Sequence, residues 1–468
     1  MEILVLREKA EHDLKKRFDL KAFNEVVLEE GAVPLGELRI HVLKWIMSSK
    51  GFVKLPGTIR SRTANIKHKG VFGVSKRIGW LFLVLSFSFG AGAQGQPRPP
   101  ATTGNQIIGS IGYPRVVRLA HQDSTETGEP ANGWLVASAG PIFLSKDEGE
   151  RWSRVGEVTL PNEVANLCCA TLYEMPRTVG QLQEGTLLRA ASYCVGPGAK
   201  NPCQRTGGVP AITIFTSRDQ GRTWRYFSTP VRASANTAGG LWEPEFEIAQ
   251  DQSLVMFWSD ETHSCCHGQQ LRQIRTTDGI SWRDEKITVT GPNGARPGMA
   301  IVHQNPITHR FFMTYEYCGA NRGCSAYYRW SDDGWNFGDS GNSGTLIRTA
   351  RGDVFQHAPA NVWSPARGSL VGEIIVVGQT VEGPDSQDLN GQVLFVNDRP
   401  DASGPWRTIP APVHVPAANG NYPCVNYSSA LLPLRNGESI LELAGAFPQT
   451  GPCSIYSAEG PLEDGYAR

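Results

Sequence analysis

The stretch SRDQGRTW, residues 217–224, belongs to a short motif that recurs along the chain. A serine or threonine is followed two residues later by an aspartate, then by a glycine and then by an aromatic side chain. Two copies are complete and two are shortened, and they begin at Ser145, Ser217, Thr276 and Ser331. A spacing of roughly 55 to 75 residues between copies is typical of a repeat architecture, not of unrelated turns.

Each copy is suited to a tight turn, because serine and aspartate side chains can bond their own backbone and glycine tolerates a positive φ. The aromatic residue is then expected to pack the turn onto a strand. From residue 108 onward the chain divides into six units, each with short apolar strands around a motif turn or a degraded version of it. Radial repetition of four-stranded units predicts an all-β, six-bladed β-propeller over residues 108–468.

The first 107 residues differ from the repeats. Lys76 and Arg77 precede an apolar run over 80–89, and Ala91-Gly92-Ala93 follows it, which is the layout of a secretory signal peptide over 74–93. The run is too short to span a membrane, so we expect no membrane insertion after cleavage and a secreted or periplasmic protein. We interpret residues 1–73, with their helical pattern, as a gene-fusion remnant or a mis-set start; a genuine extension is the alternative. Residues 94–107 are predicted to be a linker.

Charge and cysteine content narrow the class of protein. Forty-five basic and 45 acidic residues cancel, which argues against a nucleic-acid partner. All ten cysteines lie between Cys168 and Cys453, as expected for disulfides in an oxidising compartment. Near neighbours predict the pairs Cys194–Cys203, Cys318–Cys324 and Cys424–Cys453; the adjacent pairs Cys168-Cys169 and Cys265-Cys266 have no assigned partners. The group His263, Cys265, Cys266 and His267 lacks a second pair at a zinc-site spacing, so neither metal nor cofactor is predicted.

The blade map predicts where functional residues converge. The start of each first strand and the end of each second strand should lie on one rim, opposite the motif turns. The polar residues at those positions are Tyr113, Arg115, Asn166, Tyr193, Glu243, Asp260, Glu261, Arg296, Tyr315, Glu316, His357, Asn426 and Tyr427. A concave rim with converging polar groups is the expected place for a binding or active site. We expect Arg115, Tyr193, Asp260, Arg296, Tyr315 and His357 to contact a substrate there.

Glu243 and Glu316 are the predicted catalytic pair. They belong to neighbouring units, and glycoside hydrolysis needs two such groups, one to donate a proton and one to act as nucleophile or base. Their aromatic and apolar chain neighbours should raise the pKa of a carboxyl group, as a general acid requires. Glu245 ranks behind them because it lies deeper in its strand. The alternative is that each glutamate forms a scaffold ion pair with Arg296.

The four motif copies resemble the Asp-box, or BNR repeat, of sialidase-like β-propellers. Over units two to six, the chain is also similar to the exo-arabinanases of glycoside hydrolase family 93. The segments that carry this resemblance are LWEPEF (241–246), WSDE (258–261), RPGMAIV (296–302), TYEYCG (314–319) and NYSSALLPL (426–434). It implies a retaining enzyme that releases arabinobiose from the non-reducing end of arabinan. Two glutamates serve as nucleophile and acid/base in that family, and the matching positions are Glu243 and Glu316, with their roles unassigned. Residues 1–50 resemble the C-terminal tail of an unrelated bacterial helical family.

Two other functions remain open. An exo-sialidase would use Tyr427 as nucleophile with Glu243, and would grip the substrate carboxylate with three arginines. Arg115 and Arg296 supply only two, and His357 stands at the equivalent point of unit five. Bidentate carboxylate binding by arginine is hard to replace, so a neutral oligo- or polysaccharide is favoured. A non-catalytic propeller that binds glycan or protein through this rim is the second alternative.

Overall fold

The structure is a computed structural model in which the chain forms two compact units, residues 1–99 and 100–468. It describes residues 3, 6, 7, 10, 11, 14–28, 42, 45, 46, 104–107, 112–122, 130–201, 203, 207–235, 237–263, 267–292, 294–319, 323–365, 372–399, 401–415, 424–435, 437–448 and 451–462.

The N-terminal unit contains a 3₁₀ turn, Lys15–Arg17, and one helix, α1 (Leu20–Leu28). Phe23 on α1 is buried, with its ring 6.0 Å from that of Phe18 and 6.2 Å from that of Trp45. The predicted signal segment, 74–93, lies outside the described residues. No helix in the described part of the chain is long and apolar enough to cross a bilayer.

The second unit confirms the predicted six-bladed β-propeller, with six antiparallel sheets. The first strand within the described residues is β1 (Asn105–Ile107). Blade one contains β2 (Arg115–Arg118), β3 (Leu135–Ser138), β4 (Ile142–Ser145) and β5 (Ser153–Gly156). Blade two contains β6 (Val164–Cys168), β7 (Tyr173–Glu174), β8 (Leu187–Val195), β9 (Val209–Ser217) and β10 (Arg225–Arg232). Blade three contains β11 (Leu241–Ile248), β12 (Leu254–Asp260), β13 (Gln270–Thr276) and β14 (Arg283–Val289).

Blade four departs furthest from a plain four-stranded sheet, and blades five and six have four strands each. Blade four contains β15 (Arg296–Gln304), β16 (Phe311–Cys318), β17 (Cys324–Ser331), β18 (Thr345–Leu346), β19 (Val354–Gln356) and β22 (Thr380–Glu382). Blade five contains β20 (Ala360–Ser364), β21 (Glu373–Val377), β23 (Val393–Asn397) and β24 (Arg407–Pro410), with α2 (Ser386–Leu389) before β23. Blade six contains β25 (Ala430–Pro433), β26 (Ser439–Ala446) and β27 (Ser454–Pro461), joined by β1.

The ring is closed by a strand from the start of the propeller. β1 pairs antiparallel with β27, so residues 105–107 supply the fourth strand of blade six. This strand falls inside the stretch predicted to be a linker, so the propeller begins earlier than residue 108. The hydrophobic core is divided among the contacts between blades; one such cluster joins Phe257 of blade three to Tyr315 of blade four.

The recurring motif forms the expected turns. In the copy at Ser217, the serine hydroxyl donates to Asp219 (2.8 Å) and accepts from the Gly221 amide (3.0 Å). The other bonds to Asp219 come from the Thr223 amide (2.9 Å) and hydroxyl (2.6 Å). Gly221 has φ +84°, and a Cβ there would lie 2.7 Å from Ile142. Trp224 is buried between blades one and two, so the turn is fixed to its neighbour.

Replacing Asp219 with alanine is expected to lower the free energy of unfolding by about 1–3 kcal/mol, because the loss leaves the turn donors without their acceptor. Denaturant unfolding checks this, with Asp332→Ala as the control, since Asp332 makes only an exposed ion pair with Arg310. Equal stability of the two would contradict the role given to this turn.

A buried acid in blade six predicts a pH-dependent stability. Glu442 on β26 is 1% exposed, and one oxygen accepts the Val413 amide at 2.9 Å. Burial raises the pKa of Glu442 to about 8. The folded state therefore favours the protonated acid, and stability is lost as pH rises from the unfolded pKa, near 4.5, through about 8. Glu442→Gln should unfold less readily than the parent at pH 9 and similarly at pH 4, measured as Tm. If the difference in Tm between Glu442→Gln and the parent were the same at pH 4 and at pH 9, this assignment would be contradicted.

Candidate active site

Backbone irregularities shape the start of the innermost strands. In β11 the pairing jumps from Trp242↔Ser259 to Glu245↔Phe257, which leaves Glu243 in a β-bulge with φ +53°. β15 repeats this break after Gly298, and Met299 has φ +59°. Positive φ recurs near the same point of blades two to six, at Cys169, Glu243, Met299, Ala358 and Ser428. Such backbone costs about 1–3 kcal/mol per non-glycine residue and is concentrated at functional sites, where bulges redirect side chains.

Glu316 occupies a matching position on the second strand of blade four. It pairs with Gly298, the residue before the bulge, just as Ser259 pairs with Trp242 and Ser192 pairs with Cys168. The Ser259 hydroxyl accepts the amide of Met299 from the next blade at 3.0 Å, and one Glu316 oxygen accepts the amide of Ala358 at 2.9 Å. Glu316 therefore holds the next bulge, a task that a serine performs one blade earlier.

Both carboxyl groups are shifted toward the protonated form. Burial raises the pKa of Glu243 to about 8, helped by the charge of Glu316 and opposed by a hydrogen bond from Ser259. Burial also raises the pKa of Glu316 to about 7, opposed by the Ala358 amide and by Arg296. Both side chains keep some exposed surface, so solutes can reach them although the protein displaces most of their water. The charge of Glu316 acts on Glu243, so the two carboxyl groups interact electrostatically within the site.

Arg296 is the cation of this site. Its guanidinium bonds Glu261 and the Gln269 side chain (3.0 Å), and Glu261 also accepts the Trp242 indole N–H at 2.7 Å. Its side chain is 45% exposed, so it faces solvent at the rim. Its charge lowers the pKa of Glu243 and of Glu316 from the values that burial alone would set. Arg296 thus acts electrostatically on both Glu243 and Glu316, while its direct ion pair is with Glu261.

His357 and Tyr427 complete the group. His357 Nδ1 lies 3.8 Å from a Glu316 oxygen, and burial lowers the pKa of His357, which favours the neutral imidazole. Tyr427 is half-buried, with its ring 6.1 Å from that of Tyr113. Its hydroxyl donates to the Met299 sulfur at 3.5 Å. The structure therefore brings Glu243, Glu316, Arg296, His357 and Tyr427 to the same mouth of the channel.

Arg115 lies below this group. Its guanidinium bonds Glu245 at 2.6 and 2.7 Å and the Ser428 hydroxyl at 3.1 Å, and stacks 4.1 Å from the centre of the Tyr113 ring. Glu245 is completed by the Thr171 hydroxyl at 2.5 Å. Arg115 and Glu245 line an axial cavity of about 850 Å³ whose walls include neither Glu243 nor Glu316. This ion pair lies inside the channel, away from the two candidate acids.

Three other predicted residues bond within the protein. The Tyr193 hydroxyl accepts from Arg189 at 2.9 Å, in the core between blades one and two. The Tyr315 hydroxyl donates to the Ser343 carbonyl, in the core between blades three and four. Asp260 accepts the amide and hydroxyl of Thr262, at 2.7 and 2.6 Å, and shapes the loop after β12. Ser259 and the Ala358 amide, which hold the two glutamates, were not predicted as site residues.

The predicted disulfides Cys194–Cys203, Cys318–Cys324 and Cys424–Cys453 are confirmed. Cys168 and Cys169, which had no assigned partners, are joined to each other, and Cys265 and Cys266 lie outside the described residues. Donor atoms of Cys318, Cys324 and His357 lie within 4.8 Å of one another. Both sulfurs belong to the Cys318–Cys324 disulfide, however, so neither is a thiolate that could bind a metal.

The fold is similar to that of two solved proteins. The GH93 α-L-arabinofuranosidase of Fusarium graminearum, in complex with arabinobiose, matches with a TM-score of 0.61 and 22% identity, over 77% of this chain and 98% of that chain. The Penicillium chrysogenum α-L-arabinanase, also complexed with arabinobiose, matches with a TM-score of 0.60 and 24% identity, over 77% and 99%. No protein-family model and no curated protein matches the sequence. At these identities the likeness establishes that the chain shares the β-propeller fold of these two proteins.

Proposed function

We propose that this protein is a secreted, retaining glycoside hydrolase that removes units from the end of a neutral oligosaccharide such as arabinan. The observation that carries the proposal is a pair of carboxyl groups, Glu243 and Glu316, with raised pKa values in one partly exposed site. Perturbed acids in a concave site are typical of catalysis. The two arabinobiose complexes with the same fold support the choice of sugar.

A comparison among the blades argues against a purely structural role for these acids. The bulge position of Glu243 is filled by Cys169, Met299, Ala358 and Ser428 in other blades. The position of Glu316 is filled by Ser192 and Ser259 in blades two and three. The fold thus forms the same bulges with uncharged residues. A buried carboxyl group lowers stability when it ionises, so its presence at both points favours a chemical role.

The contacts suggest how the roles divide. Glu316 has the Ala358 amide and Arg296 to stabilise its anion, which suits a nucleophile. Among the described residues, Glu243 has only the Ser259 hydroxyl as a close donor, and it has the higher pKa, which suits the acid. Glu243 gives its proton to the glycosidic oxygen while Glu316 attacks the anomeric carbon, so the leaving alcohol departs and a glycosyl ester forms. Water, deprotonated by the Glu243 carboxylate, then hydrolyses the ester and restores both groups.

The arginine contacts favour a neutral sugar over a sialoside. Arg115 is held by Glu245 and Arg296 is held by Glu261, so neither guanidinium is available for bidentate binding of a substrate carboxylate without breaking an ion pair.

A substrate panel tests the proposal. Linear arabinan oligosaccharides, an aryl α-L-arabinofuranoside and an aryl sialoside are incubated with the protein, and early product anomers are followed by NMR. We expect release from the arabinan substrates with retained configuration, and no release from the sialoside. Hydrolysis of the sialoside alone, or binding of all glycans without cleavage, would overturn the assignment in favour of a sialidase or of a binding module.

A further inference from the structure

The disulfide between the chain neighbours Cys168 and Cys169 lies at the bulge of blade two, next to the blade that carries Glu243. Cys168 ends β6, and Cys169, with φ +69°, occupies in blade two the bulge position that Glu243 occupies in blade three. The two blades are adjacent, and these bulges surround the same channel mouth. The disulfide is therefore a neighbour of the candidate acid in the ring of bulges.

The same disulfide belongs to the apolar floor of the site. Cys169, Tyr113, Met299 and Ala358 come from four different blades, and all are buried in one cluster. Cys168 and Tyr427 pack against this cluster and are its half-buried members. Exposed surface on the floor therefore comes from Cys168 and Tyr427, the two members that a ligand can touch.

A disulfide between chain neighbours has properties that free thiols lack. It closes a small ring, so neither side chain can rotate to another rotamer, and it has no S–H donor. Sulfur is polarizable and makes favourable contacts with apolar groups. Sugar rings present C–H groups on one face and hydroxyls at the edge. A rigid apolar surface complements the C–H face, and because its shape is already fixed, little entropy is lost when the ligand binds.

We propose that the Cys168–Cys169 disulfide, together with the Tyr427 ring, is the platform on which the C–H face of the sugar residue being cleaved rests. The proposal builds on the proposed function and adds a binding determinant to the same site. It predicts that affinity depends on the redox state of this pair. A dithiol reductant would convert the disulfide to two thiols, itself forming a cyclic disulfide, and the platform would lose its fixed shape.

The expected effect is on binding more than on the chemical step. In the reduced parent, two side chains that must be immobilised in the complex cost about tenfold in affinity, and the alanine variant loses the sulfur surface itself. Cys168→Ala/Cys169→Ala, and the parent protein after reduction, should therefore show a KM about tenfold higher with kcat within about threefold of the parent. The reduced double variant should show no further change.

The experiment uses the whole chain. Peptide mapping first establishes whether Cys168 and Cys169 are joined. Kinetics then compare the parent, Cys168→Ala/Cys169→Ala, the serine version of that variant, and Cys194→Ala/Cys203→Ala, which removes the other blade-two disulfide but lies outside the floor cluster. Only the first pair of positions should raise KM. Circular dichroism and Tm separate misfolding from weak binding, and the reduced parent serves if the variants do not fold.

The outcomes separate this inference from the proposed function. An active enzyme whose KM is the same in the parent and the folded variants overturns the platform alone, as does mapping that finds both residues as thiols. A chain that cleaves no arabinan substrate overturns the proposed function. In that case calorimetry with arabinobiose tests the platform, and equal affinity of parent and variant, or no binding to either, overturns it as well.

Discussion

Glu316→Gln is expected to lower kcat on arabinan oligosaccharides by at least about 10³-fold, because the amide cannot form the glycosyl ester. Glutamine has the same shape, and its carbonyl oxygen can still accept the Ala358 amide that the parent residue holds at 2.9 Å. The blade-five bulge should therefore persist, and KM for the oligosaccharide should change little. Initial rates and Tm, measured on the same preparation, check both statements.

The control is Glu285→Gln, since Glu285 is an exposed carboxylate that pairs with Arg272 on β13. It should keep the parent kcat. Activity of Glu316→Gln above about a tenth of the parent level would remove Glu316 from the chemistry. Loss of activity accompanied by a large fall in Tm would instead indicate that Glu316 has a structural role.

Glu243→Gln is expected to have the second largest effect, about 10²–10⁴-fold in kcat on natural oligosaccharides, whose leaving alcohol needs a proton. An aryl arabinoside with a good leaving group needs less protonation, so its first step should be slowed far less. Glu316→Gln should impair both substrates alike. Parallel rates on the two substrates check the division of roles, and equal losses on both for Glu243→Gln would contradict it.

Glu243→Gln is also expected to change the dependence of kcat/KM on pH. In the parent, kcat/KM should fall as pH drops below about 7, where Glu316 takes up a proton, and as pH rises above about 8, where Glu243 loses one. Glu243→Gln has no proton to lose, so its alkaline limb should vanish while the acid limb stays. A profile with both limbs intact would mean that another group is the acid.

The propeller could be predicted from the sequence because its turn motif is local. Ser217, Asp219 and Gly221 bond within a few residues of one another, so the pattern is visible without knowledge of the fold. Once the turns were located, the strand order followed, and with it the convergence of first strands on the channel. The closing strand β1 was missed because three residues carry no pattern and their partner, β27, lies at the other end of the chain.

The site could be predicted less completely than the fold. Adjacent residues of a strand point to opposite faces, so Tyr315 enters the core while its neighbour Glu316 reaches the mouth. The sequence gives no sign of which face is which near a bulge. The positive φ at Glu243 could not be predicted either, because glutamate has no preference for that backbone region. Aligning the units would have found Ser259, since it stands where Glu316 stands one blade later.

The central claim is that Glu243 and Glu316 act as a unit on one bond. A double-mutant cycle tests it most directly, with kcat/KM measured for the parent, each glutamine variant and Glu243→Gln/Glu316→Gln on an arabinan oligosaccharide, where both single variants are expected to lose much activity. Groups that act together give strongly non-additive losses. We predict that the double variant is no slower than Glu316→Gln within about threefold. Losses that multiply across the two positions would mean that the carboxyl groups work independently, and would contradict the account.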